Sequence, residues 1–365
     1  MEHRFHGPRY TVGVEEELMI VDRSSLDLVS AIHAILEDAP PGQIQSELMQ
    51  SVLEIATPPC PDVPAAAAEL RGLRERVRDH AAEHGLLIGS SGTHPFARWE
   101  EQRIVRDDRY RGLVSSLGFV ARQELVFGMH VHVGVGGPDE AIHVANGLRA
   151  HVPLLVALSA NSPFWRGELT GLASSRVPIF RAFPRVGIPP RFEDWADFER
   201  RVGFMLSSGM IEDYTFLWWD VRPHPRLGTV EVRAMDCQTR VEHTVALTAL
   251  VQSLVKQLCD DFAAGLPAAD QAWEILDENK WLAARHGIDA ELVDLPGGER
   301  RGVRELTCAL MGRLDGHAQE LGCAAELEGV GDLLEAGNGA RRQRMVYEAN
   351  RDLQELMGEI VAATA

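Results

Sequence analysis

The alternation of apolar and polar residues predicts β-strands in the first two thirds of the chain. Residues 10–22, 128–135 and 228–236 alternate with the two-residue period of a strand that has one buried face. Residues 216–225 precede the last of these across a Pro/Gly turn, which predicts a strand pair. Residues 86–95 are predicted to be a buried strand that runs into a turn.

Helical patterns dominate the remainder. Residues 64–84 start with a proline, are rich in alanine and other helix formers, and stop at Gly85, which predicts a helix. A second helix is predicted over about 139–160. The C-terminal third is predicted to be helical over four segments, which are 241–264, 268–285, 302–320 and 340–361.

This order of elements, with strands and mixed elements first and helices last, favours an α+β fold with a largely antiparallel sheet. We expect a single domain over residues 1–365, rich in sheet over 10–240 and helical over 241–365. The apolar fraction of 45% and the charged fraction of 25% are ordinary for a globular protein, and they exclude a disordered, collagen-like or coiled-coil chain.

Each alternating strand carries ionisable residues on one face, and residues 43–57 add further carboxylates. These residues are Glu15, Glu17, Glu47, Glu54, His130, His132, Glu231 and Arg233. Such a face is not an ordinary core face, because burial of unpaired carboxylates is costly. It is either a solvated outer face with cross-strand Glu–Arg pairs, or a concave face on which carboxylates and an imidazole bind divalent cations such as Mg²⁺ or Mn²⁺.

A long segment with little periodicity, residues 161–192, is rich in glycine, proline and serine, and long irregular loops are often functional. Its arginines are Arg166, Arg176, Arg181, Arg185 and Arg191. Guanidinium groups suit bidentate binding of a carboxylate or a phosphate. The alternative is that these arginines are solvated surface residues.

Charge and cysteine usage narrow the range of partners and compartments. The net charge of −18 argues against nucleic acid and anionic membranes as general partners. The lysines, Lys256 and Lys280, do not lie in a glycine-rich phosphate loop. The five cysteines are scattered, the N-terminus is charged, and no stretch is apolar enough to span a membrane, so we expect a cytoplasmic protein.

Several segments, taken in order, resemble the type-2 glutamate–cysteine ligase family. They are GVEEELMIVD, LEIATPP, GMHVHVGV, LLVALSANSP, FWRGELTGLASSR, WWDVRPHPRLGTVEVRAMD and ENKWLAARHG. The resemblance implies a glutamine-synthetase-like fold, with the sheet bent into a funnel and helices outside. It implies an ATP-dependent carboxylate–amine ligase that forms an amide through an acyl phosphate, from the γ-carboxylate of glutamate and cysteine or another amine. It also implies a homodimer.

The resemblance assigns roles to individual residues. The metal ligands for Mg²⁺ (or Mn²⁺) would be Glu15, Glu17, Glu54, His132 and Glu231. The nucleotide would be bound by His132, Arg233 and Asn161, and the catalytic arginines would be Arg233, Arg176 and Arg222. Glu47 is either a further ligand or a surface residue, and His130 would support the ligands from behind.

Three alternatives stay open on the sequence alone. A guanidino-kinase-like phosphotransferase would share the funnel-shaped sheet and produce a phosphorylated amine. A metallohydrolase would use His130, His132 and carboxylates without a nucleotide, although the H-x-H spacing on a strand is not that of a helical zinc motif. A degenerate binding protein would have lost the reaction altogether.

Overall fold

The computed structural model describes residues 1–37, 42–293 and 297–364. The strands are β1 (Val12–Asp22), β2 (Ile44–Ser46), β3 (Val52–Ala56), β4 (Leu86–Gly89), β5 (Gly128–Gly134), β6 (Phe164–Trp165), β7 (Glu168–Leu169), β8 (Val186–Gly187), β9 (Trp218–Trp219), β10 (Val221–His224), β11 (Thr229–Asp236), β12 (Glu291–Val293) and β13 (Arg300–Gly302). The helices are α1 (Ile32–Leu36), α2 (Val63–Glu83), α3 (Asp108–Leu117), α4 (Phe119–Arg122), α5 (Pro138–Arg149), α6 (Val152–Ser159), α7 (Arg176–Phe180), α8 (Trp195–Ser207), α9 (Val241–Ala263), α10 (Trp273–His286), α11 (Val303–Leu321), α12 (Ala324–Glu335), α13 (Gly339–Asn350) and α14 (Leu353–Thr364).

Seven strands form one antiparallel sheet in the order β10-β11-β5-β1-β3-β2, with β4 also paired to β1. Strand β1 is eleven residues long. It pairs with β5 over its first half and with β4 over its second half, while β3 lies along its other edge. The alternating side chains of β1 therefore define the two faces of the sheet.

One face of the sheet is apolar and is covered by helices, including α2 on β1 and α9 on β5. Val12 and Leu18 of β1 are fully buried on this face. Burial of such a side chain stabilises the fold by about 1.5–3 kcal/mol. The burial also sets the register, because a shift by one residue would turn Glu15 and Glu17 towards the helices.

The apolar face also holds a charged pair, Glu16 with Arg74 of α2. Both side chains are buried, and Arg74 donates two hydrogen bonds of 2.8 Å to the carboxylate of Glu16. Arg74 also donates to the backbone carbonyls of Gln238 and Thr239, at 2.7 and 2.8 Å. Thr244 of α9 adds a hydroxyl donor to Glu16 at 2.6 Å. The pair thus joins β1, α2 and the start of α9.

The α+β class, with its antiparallel sheet and packed helices, is confirmed. The predicted helix over 64–84 is α2, but the helix predicted over about 139–160 is two helices, α5 and α6. They meet at 60° and are separated at Ala150 and His151, just before Pro153 in the first turn of α6. The segment over 340–361 also divides, into α13 and α14, at Arg351 with a φ of 55°.

One feature of the described ranges bears on a possible membrane span. No individual helix combines the length and apolarity needed to cross a bilayer, whereas the bent pair of α5 and α6 meets both criteria by length and composition.

Candidate active site

The antiparallel register brings the charged residues of neighbouring strands together on the second face of the sheet. The paired positions are Glu15 with His130, His132 with Glu231, Glu17 with Glu54, Gln45 with Glu54, and Arg222 with Glu231. Residues directly opposite each other in antiparallel strands point to the same face. The predicted metal ligands are therefore neighbours in space.

The imidazole of His132 is the centre of the first cluster. Its Nδ1 lies 3.0 Å from the hydroxyl of Thr229, which orients the ring. Its Nε2 lies 3.2 Å from Glu15 and 3.7 Å from Glu231, but this buried atom has no aligned hydrogen-bond partner among the described residues. One nitrogen and two carboxylate oxygens, all within 4.8 Å of one another, form a ligand set suited to Mg²⁺ or Mn²⁺.

Two further groups continue the cluster along β1 and β3. Glu15, Glu54 and His130 have ligand atoms within 4.8 Å of one another, and so do Glu17, Glu47 and Glu54. His130 is held by Glu15, whose carboxylate lies 2.8 Å from Nδ1. Glu47 thus lies within the cluster, which favours a further ligand over a surface residue.

The clustering shifts the pKa values of these carboxyl groups in different directions. Burial and the charges of Glu15, Glu47 and Glu17 hold the pKa of Glu54 well above its usual range. Burial and Glu47 raise the pKa of Glu17 to about 7. The carboxylates at this end of the cluster thus repel one another. Bound protons or cations would reduce this repulsion.

Glu231 lies at the other end of the cluster, among positive charges. Burial opposes its ionisation, but Arg222, Arg233 and His132 together lower its pKa well below the usual range. Arg222 donates to its carboxylate at 2.8 Å and to the carbonyls of Thr215 and Leu217. Arg222 therefore positions Glu231, and it has few donors left for a substrate.

Two arginines keep unused donors. Arg176 comes from the long irregular segment and is 4% exposed, and its Nη2 donates to the carbonyl of Arg233 at 3.2 Å. Its guanidinium fits closely over Gly128, where a Cβ would collide with it. The Nε atoms of Arg176 and Arg233 are buried and have no partner among the described residues. Buried donors of this kind are available to phosphate or carboxylate oxygens.

Asn161 is not brought into the cluster. Its side chain is fully buried, donates to the carbonyl of Cys237 and the hydroxyl of Thr239, and accepts from Gln343. Its backbone N–H donates to the carboxylate of Asp236 at 2.8 Å. These bonds hold the start of the segment 161–192, which carries Arg176, and they use both N–H groups of the Asn161 amide.

Sequence reasoning missed Glu124, which follows α4 and lines the pocket beside Arg176. Its Oε2 is buried without a partner among the described residues, and burial raises its pKa to about 8. No periodic pattern surrounds it, so the sequence contains no signal for it. Lys280 was also missed, and it bonds Asp220 at 2.6 and 2.8 Å in a buried pair.

Two adjoining pockets open beside the cluster, and Arg176, Phe180 and Phe183 line both. The first, of about 100 Å³, is lined by Glu17 and Glu47 of the acidic cluster and by Arg233. The second, of about 150 Å³, contains the Asp220–Lys280 pair. A substrate that spans the two would pass Arg176.

The arrangement fits a divalent cation and an anionic substrate side by side. The unpartnered Nε2 of His132 lies near two carboxylates, as a metal ligand would, and Arg176 and Arg233, which keep unpartnered Nε atoms, line the neighbouring pocket. Such a site neutralises phosphates and orients two reactants, and it does not supply a strong nucleophile.

Comparison with known sequences gives matches over the whole chain. Residues 11–362 match the profile described as glutamate–cysteine ligase family 2. A protein of Rubrobacter xylanophilus, named provisionally glutamate–cysteine ligase 2-1, is 47% identical over 369 residues, which cover 100% of this chain and 97% of that protein. A protein of Sorangium cellulosum, named provisionally glutamate–cysteine ligase 2, is 40% identical over 358 residues, which cover 97% of this chain and 96% of that protein.

Two solved structures have the same fold at low sequence identity. The glutamate–cysteine ligase of Francisella tularensis in complex with AMP gives a TM-score of 0.73 at 13% identity, over 100% of this chain and 89% of that one. A bifunctional glutathione synthetase of Pasteurella multocida gives a TM-score of 0.69 at 16% identity, over 99% of this chain and 51% of that one.

Proposed function

Because the chain belongs to glutamate–cysteine ligase family 2, we propose that it joins a carboxylate to an amine through an acyl phosphate. It is an ATP-dependent carbon–nitrogen ligase of the glutamate–cysteine ligase type. The proposed substrates are glutamate, through its γ-carboxylate, and cysteine or another amine. The proposal includes a cytoplasmic location and a homodimer.

The proposed reaction has two steps. A carboxylate oxygen of the first substrate attacks the γ-phosphorus of ATP, and ADP leaves. The nitrogen of the amine then attacks the acyl carbon, the carbon–oxygen bond to phosphate breaks, and the departing phosphate takes up the proton that the amine loses. Neither step needs a protein nucleophile, so catalysis depends on positioning and on charge neutralisation.

The observation that carries the proposal is the row of carboxylates and histidines that opposes two arginines with unused donors. Residues that would hold Mg²⁺ or Mn²⁺ are Glu15, Glu17, Glu54, His132 and Glu231. When bound, such ions neutralise phosphate oxygens. His132 and Arg233 both contact Glu231, and we propose that they bind a nucleotide phosphate there, with the Nε atom of Arg233 as a donor to the transferred phosphoryl group.

The position of Glu124 and Arg176 in the same pocket supports an amino acid as the carboxylate substrate. Their charges attract, yet no ion pair within 4 Å joins them in the described ranges, and each keeps a buried atom without a partner. The Oε2 atom of Glu124 accepts a hydrogen bond, and the Nε atom of Arg176 donates one. A zwitterion satisfies both, with its α-ammonium on Glu124 and its α-carboxylate on Arg176.

The alternatives are not favoured by the family assignment. A guanidino kinase would transfer phosphate to nitrogen without forming an amide. A hydrolase would need no nucleotide, and the buried donors of Arg176 and Arg233 would then lack a function.

The test measures phosphate release from ATP and Mg²⁺ with glutamate and a panel of amines, and identifies the product by mass spectrometry. We expect phosphate release that needs both substrates and a product with the mass of an amide. In Glu231→Gln the turnover should fall by about 100-fold or more, since a ligand and the partner of two arginines is lost. The exposed Glu100→Gln provides the control, with turnover near that of the wild type. A phosphorylated amine, or wild-type turnover in Glu231→Gln, would contradict the proposal.

A further inference from the structure

A cavity of about 330 Å³ lies between the start of α9 and helices α13 and α14. None of its lining residues lines either pocket of the candidate active site. Its volume is within the range of small-molecule sites, which runs from about 300 to 1,000 Å³. The ligase reaction, as proposed above, leaves this cavity without a role.

One side of the cavity is basic. Arg240 precedes α9, His243 lies in its first turn, and Arg342 comes from α13. Neither arginine has a carboxylate within 4 Å in the part of the chain that the structure describes, and the guanidinium of Arg342 donates only to the carbonyl of Gly337 among those residues. Burial and the nearness of both arginines lower the pKa of His243 to about 4.

Such a group of like charges is unfavourable without an anion. The carboxylates nearby are Glu359 on the cavity wall, Glu242 and Asp332, and in the described ranges none of them forms an ion pair within 4 Å with Arg240 or Arg342. The first turn of α9 adds to the positive potential, because Arg240, at the N-cap position, makes no side-chain cap. His243 lines the same side of the cavity and is 5% exposed.

The other side of the cavity is apolar. It is formed by Val346 of α13 and by Leu356, Ile360 and Ala363 of α14. Leu356 and Ile360 are 1% and 3% exposed. A ligand that satisfied both sides would combine an anionic head with an apolar chain.

We propose that this cavity binds a small amphiphilic carboxylate. The head would accept hydrogen bonds from Arg240 and Arg342, and the chain would contact Leu356 and Ile360. This site is separate from that of the ligase substrates, and the proposal does not rest on the proposed reaction.

The wall of the cavity is connected to the active site by hydrogen bonds. Thr239 and Gln343 line the cavity, and both bond Asn161. The backbone N–H of Asn161 donates to Asp236, which also accepts the hydroxyl of Ser174, two residues before Arg176. A ligand in the cavity would thus contact residues that hold the Arg176 segment.

Calorimetric titration of the full-length protein with octanoate, and with 1-octanol as the uncharged analogue, tests the proposal. We expect octanoate to bind at one site and 1-octanol to bind at least about 10-fold more weakly, because only the carboxylate satisfies the arginines. The double variant Arg240→Gln/Arg342→Gln should weaken octanoate binding by about 10-fold or more. Arg341→Gln, on the same helix but outside the cavity, should bind as the wild type does.

A second variant tests the apolar side. Ala363→Phe fills the cavity from a partly exposed position, so we expect the protein to fold with an unchanged unfolding temperature and to lose octanoate binding. Equal affinity for octanoate and 1-octanol would overturn the proposal, as would unchanged octanoate binding in the double variant. The absence of any binding to the wild type, as when a second copy of the chain fills the cavity, would overturn it too.

Discussion

Glu124 and Arg176 face the same pocket without pairing, and this leads to a prediction about substrate choice. If Glu124 binds an α-ammonium group, the wild type should use glutamate with a kcat/KM about 100-fold above that for glutarate, which lacks the amine. Glu124→Gln should reduce this ratio to about 10-fold or less, through a higher KM for glutamate. The measurement is the kcat/KM for both acids at saturating ATP and amine.

The comparison of glutamate with glutarate separates a contact of Glu124 with the substrate ammonium group from a purely structural role of Glu124. A residue that only supports the pocket would lower kcat/KM for glutamate and for glutarate by the same factor. Equal losses in Glu124→Gln would therefore exclude the ammonium contact. They would leave the ligase reaction itself untouched, because that is judged by the amide product.

His94 provides a prediction about pH and stability. Its Nε2 lies 2.9 Å from the carbonyl of Leu26 and its Nδ1 accepts from the N–H of Ala97, so the folded protein holds the neutral ring. Burial lowers its pKa from 6.5 to about 4. Between these values the unfolded chain binds more protons, so His94 makes the protein less stable as the pH falls from 6.5 to 4.

We therefore expect the stability advantage of the wild type over His94→Asn to shrink by about 2 kcal/mol between pH 7 and pH 5. Urea unfolding at the two pH values measures it. The exposed His33→Asn is the control, because that ring is in water in both states. An advantage that stays constant or grows at pH 5 would show that His94 does not titrate in this way.

Among the elements, the contact of α2 with β1 depends on the buried pair of Arg74 and Glu16. Arg74→Met should cost about 3–5 kcal/mol, since it leaves the carboxylate of Glu16 buried and without its main partner. Replacing both residues, Arg74→Met with Glu16→Leu, should recover most of the loss. Chemical unfolding of the three proteins measures both effects.

Arg78, one turn further along α2, is a matched control. It is about half exposed and, among the residues that the structure describes, pairs only with Asp79, so Arg78→Met should change the free energy of unfolding by no more than about 0.5 kcal/mol. A loss of similar size in Arg74→Met and Arg78→Met would mean that the buried pair does not hold α2 to the sheet.

The elements also show what the sequence predicts and what it cannot. Alternation identified β1, β5 and β11, because a half-buried strand repeats every two residues. Glu16 lies on the apolar face of β1, and its partner Arg74 is 58 residues away on α2, where no local pattern indicates it. The break between α5 and α6 was missed since both halves are buried and apolar, and helix α12 was not predicted.

In the candidate site, too, some residues could be predicted from the sequence and others could not. Glu15, His132 and Glu231 become neighbours once their strands pair, so the pattern and the resemblance together located them. Glu124 comes from a segment without period, and tertiary packing alone carries it to the pocket. The same packing assigns Asn161 to a buried network instead of the cluster.

For the molecule as a whole, the acidic cluster is a source of instability. Burial holds the pKa values of Glu17, Glu47 and Glu54 above their ordinary ranges, which means that the folded protein binds protons there more readily than the unfolded chain does. The net charge of the chain is −18, so long-range attraction from the rest of the protein does not offset this repulsion. Cations bound to the cluster would remove it, so we expect the stability of the protein to depend on divalent metal.

Protons and Mg²⁺ compete for these carboxylates, so the stabilisation by Mg²⁺ should grow with pH. At pH 8 Glu17, with its pKa near 7, is ionised and available, whereas at pH 6 it holds a proton. We expect millimolar Mg²⁺ to raise the unfolding temperature by about 2–5 °C at pH 8 and by less than half of that at pH 6. Sodium chloride at equal ionic strength, which only screens charges, should give little change.

Glu54→Gln should make the metal-free protein more stable and weaken its response to Mg²⁺, because it removes one of the repelling carboxylates. A shift of the same size at both pH values, or an equal shift with sodium chloride, would mean that the carboxylates do not bind the ion together.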